Sequence, residues 1–175
     1  MYTLTLSFLA ANLTHLYVLI RHRRSRLPTI SERAAQTKTS LALYILGHFV
    51  GGLAFALFSY QFFWLTLGSK PLLAIAVLGV VFEWLQALVP AKGTLEKPHR
   101  ALAYGMSGLM VLLGIWTILS LSLTSTTRTL LVMIEAIIIC GYPLVRRLPQ
   151  KYFWTIQVLN INLFYVQMFI LLHAT

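Results

Sequence analysis

The chain reads as an all-α polytopic membrane protein, a single six-transmembrane-helix bundle over residues 1–175. Three observations predict this. Hydrophobic residues make up 58% of the chain and charged residues only 10%, under half the ~25% usual for soluble domains. Ser40–Leu67 runs for 28 residues without Lys, Arg, Asp or Glu, more than the ~20 helical residues that cross a ~30 Å hydrocarbon core. Basic residues concentrate in alternate loops, the pattern of a chain that threads a bilayer repeatedly.

The elements follow in order. Span 1 is about residues 2–20. Its basic residues (Arg21, Arg23, Arg24, Arg26) come after the apolar run rather than before it, so a retained span is expected rather than a signal peptide. Span 2 is about 40–67, followed by a tight turn at Gly68-Ser69-Lys70-Pro71. Span 3 is about 72–89, ended by Pro90, and residues 91–100 read as a loop. Span 4 is about 101–123, with a polar turn at 124–127. Span 5 is about 129–145, where Gly141 and Pro143 predict a kink. Residues 146–151 read as a turn, and span 6 is about 152–172.

The loops after spans 1, 3 and 5 carry Arg21, Arg23, Arg24, Arg26, Arg33, Lys38, Lys92, Lys97, Arg100, Arg146, Arg147 and Lys151. The opposite face holds only Lys70 and Arg128. A split of 12 to 2 predicts basic loops in the cytoplasm and both termini outside. The expected site is the plasma (inner) membrane. In a soluble protein the net charge of +10 would suggest nucleic acid. Here it points to topology and to anionic lipid headgroups as partners, with no nucleic acid. Cys140 is the only cysteine, which excludes an intrachain disulfide. No glycine-rich phosphate loop, nucleophile elbow or HExxH pattern is present.

Ionisable groups inside a bilayer are costly and face the bundle interior. Asn12 and His15 in span 1, His48 in span 2, Glu83 and Gln86 in span 3, Tyr104 and Ser107 in span 4, and Asn160 and Asn162 in span 6 fall within ~5–15 Å of the basic face. They suggest a polar pocket open to the cytoplasm, built from His48, Glu83, Asn160, Asn12, His15 and Gln86, with His48 and Glu83 as its central pair. Such a pair can shuttle a proton, bind a metal or hold a polar headgroup, or it can serve packing alone through interhelical hydrogen bonds. Glu135 is expected near the outer interface, free to snorkel or to pair with Arg128. His22 and His173 read as solvated. Gly51, Gly52 and Gly105 read as sites of close helix contact. The aromatic runs at 60–64 and 152–154 read as interfacial belts.

The leading functional expectation is recognition of a lipid or small amphiphile in that pocket. The alternatives are a metal- or haem-dependent membrane enzyme and a structural subunit of a larger complex, with protein partners or a homo-oligomer. No cofactor is predicted outright. Haem would use His15 and His48, and zinc would draw on His15, His48, His99 and Glu83.

Two short motifs carry a family resemblance. Pro28-Thr29-Ile30-Ser31-Glu32 lies between spans 1 and 2; Leu88-Val89-Pro90-Ala91 and then His99-Arg100-Ala101 lie between spans 3 and 4. In these motifs and in layout the chain resembles the six-span DRAM-like (damage-regulated autophagy modulator-like) membrane family and its bacterial relatives. The resemblance implies that Ser31, Glu32 and His99 share one face as a polar cap. Members often carry Gly soon after the Ser-Glu, where this chain has Arg33-Ala34-Ala35. The family's Ser-Glu loop is expected outside or in the lumen, whereas the charge count puts this one in the cytoplasm. Without the resemblance, Ser31 reads as the cap of a short interfacial helix and His99 as a headgroup-level residue.

Overall fold

The computed structural model describes residues 1–147, 149 and 152–175, and the side chains of 1–141, 149 and 152–175. Among them the regular structure is entirely helical: α1 Tyr2–Arg21, α2 Ile30–Ala34, α3 Lys38–Ser59, α4 Lys70–Leu88, α5 Glu96–Ser120, α6 Ser125–Arg147 and α7 Phe153–Ala174. A π-helical stretch, Tyr60–Thr66, prolongs α3, and a 3-10 turn, Gly93–Leu95, leads into α5. Among the described residues, five segments are long and apolar enough to cross a membrane: Tyr2–Arg21, Lys38–Thr66, Lys70–Leu88, Gly93–Ser120 and Phe153–Ala174. The helix at the expected fifth span, α6, is not among them. It runs unbroken past Gly141 as far as Arg147. The expected turn at 146–151 and any role of the Pro143 side chain lie largely outside the described residues.

Local chemistry explains the boundaries. Thr37 and Ser69 accept backbone N–H bonds from Ser40 and Leu72, so they cap α3 and α4. Pro71 sits in the first turn of α4, where a missing N–H costs nothing. Pro98 likewise occupies the first turn of α5. That placement corrects the reading of 91–100 as a loop. The helix begins at Glu96, and Lys97, His99 and Arg100 stand on it.

The main core joins Leu4, Phe55, Phe58, Phe63, Leu72, Leu113, Leu131 and Met168, drawn from α1, α3, the π-helical stretch, α4, α5, α6 and α7. Phe62 and Phe63 are buried at 4% and 0% exposure, which corrects the belt reading for that run. Lys70 Nζ instead lies 5.5 Å over the Trp64 ring. The outward faces are apolar: Leu6, Leu9, Leu13, Leu16 and Ile20 of α1 are all exposed, the surface expected of a helix bathed in lipid.

Cross-helix hydrogen bonds fix the relative directions. Thr3 bonds Gln61, so α1 starts where α3 and its π-helical extension finish. Ser7 bonds Tyr165 and Asn12 bonds Asn162, so α7 runs antiparallel to α1. The two chain ends therefore lie at one end of the bundle. At the other end the Ile30 N–H reaches Gln157 Oε1 near the start of α7, and His99 at the start of α5 bonds the Val89 carbonyl closing α4. The basic connections after α1 and α4 are thus gathered at this second end.

Candidate functional site

Tyr44, His48, Gly52 and Phe55 follow one another at three- and four-residue spacing along the inward face of α3. Glu83 and Gln86, three apart on α4, look toward the same region. His48 Nδ1 lies 2.8 Å from Glu83 Oε1, so the expected central pair is present. His48 is 7% exposed, and the Glu83 side chain 16%. The His15 ring of α1 sits 5.5 Å from the His48 ring, and Tyr44 packs on its other side at 4.3 Å. His15 is 4% exposed. His15 Nδ1 and His48 Nε2 are both buried without a hydrogen-bond partner. Beside Glu83 lies a cavity of about 20 Å³ lined by Phe55, Gly79, Leu113 and Phe164. That is room for one water.

A second group of polar residues lies toward the basic end. Gln86 Nε2 donates to Tyr44 Oη at 3.3 Å and to His99 Nε2 at 3.3 Å. His99 Nδ1 donates to the Val89 carbonyl at 2.6 Å, which fixes the proton on Nδ1 and leaves Nε2 as acceptor. Ser31 Oγ donates to that Nε2 at 3.0 Å. His99 is 4% exposed, so it is a buried clasp between α2, α4 and α5 rather than a headgroup-level residue. The cap of α2 is Thr29, which forms a capping box with Glu32; Ser31 stands inside the helix and turns to His99. The expected cap of Ser31, Glu32 and His99 is therefore brought together as a Ser31–His99 bond, with Glu32 folded back onto Thr29. Arg33 closes this end by donating from Nε to the Leu27 carbonyl. Burial pulls its guanidinium below the usual range.

Other expected members lie apart. Asn12 and Asn162 bond each other at 3.1 Å. Asn160 faces Gly141 of α6, where its amide fills the space of a missing side chain, rather than joining His48 and Glu83. Tyr104 is 60% exposed and looks outward. His22 is buried and bonded to Ser40 at 2.8 Å rather than solvated, whereas His173 is exposed. Glu135 does not pair with Arg128, whose guanidinium donates to the Leu121 carbonyl. It is 4% exposed and accepts from Gln167 Nε2 at 3.0 Å.

Among the described residues no group of three or more His, Cys, Asp or Glu can hold a metal ion. His15, His48 and Glu83 lie together, whereas His99 is bonded to Ser31, Gln86 and Val89. A haem between His15 and His48 would need a slot between α1 and α3. These helices meet closely at Gly51, whose Cβ position lies 3.6 Å from Ala10 Cβ and the Ser7 carbonyl.

Fold and site together define an all-helical chain of membrane-spanning composition with a buried histidine–carboxylate couple. No protein-family model, curated protein or solved structure matches it.

Proposed function

We propose that the chain is a six-span integral membrane protein that exchanges protons through a centre formed by Glu83, His48 and His15. The observation that carries this is the 2.8 Å His48–Glu83 contact beside a second histidine, with one ring nitrogen of each imidazole buried and unpartnered. An imidazole accepts a proton at one nitrogen and releases one from the other. Glu83 can pass a proton to His48 Nδ1, and His48 can release one from Nε2 toward the neighbouring His15. Ionisable residues inside a span are costly, and those retained mark ion pathways, proton relays or ligand sites.

Six crossings are supported by parity. Both chain ends lie at one end of the bundle, and an odd number of crossings would separate them. Helix α6, 23 residues long, spans ~34 Å. The charge asymmetry supports an orientation with the basic end in the cytoplasm and the termini outside. The Ser31–His99 bond supports the six-span layout of the DRAM-like resemblance, and we take no activity from it. Lipid recognition in the pocket has less support, because the space beside Glu83 holds one water rather than a headgroup. Anionic lipids belong at the basic loops.

Purified protein in sealed vesicles containing a pH-sensitive dye tests the reading. Under an imposed proton gradient, wild type should equilibrate faster than protein-free vesicles, and Glu83→Gln should lose most of that excess, about tenfold or more. Wild-type vesicles no faster than empty ones under either gradient direction would overturn it.

A further inference from the structure

A second buried cluster lies on α5, α6 and α7, apart from the His48–Glu83 centre and independent of its function. Glu135 is ten residues from the start of α6, ~15 Å along a helix of ~34 Å, and so near the middle of that helix. Gln167 of α7 is 0% exposed and donates from Nε2 to Glu135 Oε2 at 3.0 Å. The same two side chains leave two further oxygens, Glu135 Oε1 and Gln167 Oε1, buried and without partners. Gly114 of α5 makes the space, since a Cβ there would collide with the Glu135 carboxylate and the Gln167 amide.

Both orphan oxygens are acceptors on side chains that already share one hydrogen bond. An ionised carboxylate has nothing to donate and would leave both unsatisfied in a medium where each costs several kcal/mol. One added proton resolves both. We infer that Glu135 and Gln167 form a proton-binding site in which the acid and amide pair reciprocally. Gln167 Nε2–H donates to Glu135 Oε2, and Glu135 Oε1–H donates to Gln167 Oε1. The proton comes from a hydronium ion of the solvent: its O–H bond breaks as the Glu135 O–H bond forms, the carboxylate becomes the neutral acid, and a water molecule is released.

The charged surroundings agree. Helix α6 packs against α5 and α7. From Ala101 to Ser120, α5 has no charged or histidine residue, and the only ionisable group with an acid or base side chain on α7 besides its tyrosine is the exposed His173. That tyrosine, Tyr165, is bonded to Ser7. On α6 the nearest cation in sequence, Arg128, is spent on Leu121. Thr117 of α5 turns its hydroxyl back to the Leu113 carbonyl. Among these groups, none is an ion-pair partner that would hold the carboxylate charged.

Infrared spectroscopy of the purified full-length protein in lipid tests the site. At neutral pH the wild type should show a protonated carboxylic C=O band that shifts in D₂O and is missing from Glu135→Gln. The Gln167→Leu variant should keep the band at higher frequency, because its hydrogen bond is gone. If Glu135→Gln fails to fold, the Gln167→Leu displacement decides alone. Identical carboxylic bands in wild type and Glu135→Gln, or an unmoved band in Gln167→Leu, would overturn the inference. So would a wild-type melting temperature raised by sodium chloride over choline chloride with the effect lost in Glu135→Gln, which would make the occupant sodium.

Discussion

At the scale of single residues, His99 joins more elements than any other side chain of the site. It satisfies the Val89 carbonyl at the end of α4, Gln86 within α4 and Ser31 of α2. A net ~1 kcal/mol for each such bond makes His99→Leu cost about 2–3 kcal/mol, with the Val89 carbonyl left unpaired and Gln86 and Ser31 each losing one of two bonds. Thr29→Ala, which removes only the capping box, should cost about 1 kcal/mol. Unfolding of the two variants in mixed detergent reads the difference; equal losses would mean that His99 is not a clasp. The His48–Glu83 pair was legible in the sequence, because two ionisable residues at similar depth in charge-free helices have little else to meet. The role of His99 was not. Read as part of a loop beside Lys97 and Arg100, it gave no sign that α5 begins at Glu96 and carries it into the bundle. Ser31 and Thr29 exchanged roles for a similar reason: either can cap, and the Glu32 that completes the box lies three residues after Thr29.

At the scale of elements, the three glycines expected to allow close approach differ sharply. The Cβ position of Gly51 meets Ala10 and the Ser7 carbonyl at an ordinary 3.6 Å, while those of Gly52 and Gly105 run into the Trp84 and Phe82 rings of α4. Gly51→Ala should therefore be nearly neutral, and Gly52→Ala and Gly105→Ala should each cost about 1–3 kcal/mol, since a packed ring cannot yield without moving its helix. Thermal unfolding of the three variants checks the order; a Gly51 variant as damaged as the others would contradict it. Helix existence was readable from charge-free runs, and helix ends were not. The start of α6 at Ser125 rather than near Thr129 moves Glu135 a further turn from the outer end, and the sequence shows no sign of its bond to Gln167. The π-helical stretch after Ser59 also left no trace in composition. It shows in the Leu67 N–H bonding the Phe62 carbonyl, one residue further back than an α-helix allows.

At the scale of the whole molecule, the proposed orientation rests on the distribution of 14 Lys and Arg residues, 12 of which a six-span reading assigns to the connections at one face. A C-terminal alkaline phosphatase fusion should be active and a C-terminal green fluorescent protein fusion dark, because the tail is expected outside. The opposite pair of signals would invert the map and move the Glu83 centre to the outer half. The sequence carried the all-helical, membrane-spanning character because its apolar runs are long and free of charge. Which helices touch was beyond it: polar pairs such as Ser7–Tyr165 and Asn12–Asn162 join residues 158 and 150 positions apart.

The side-by-side placement of Thr3 with Gln61 and of Ser7 with Tyr165 has an engineering corollary. Beginning and finish are neighbours, so a short flexible tether joining residue 175 to residue 1 would close the polypeptide into a ring. Cutting that ring at Gly68, an exposed turn residue whose backbone φ is 63°, would yield a permuted chain in which α4 leads and α1, α2 and α3 come last.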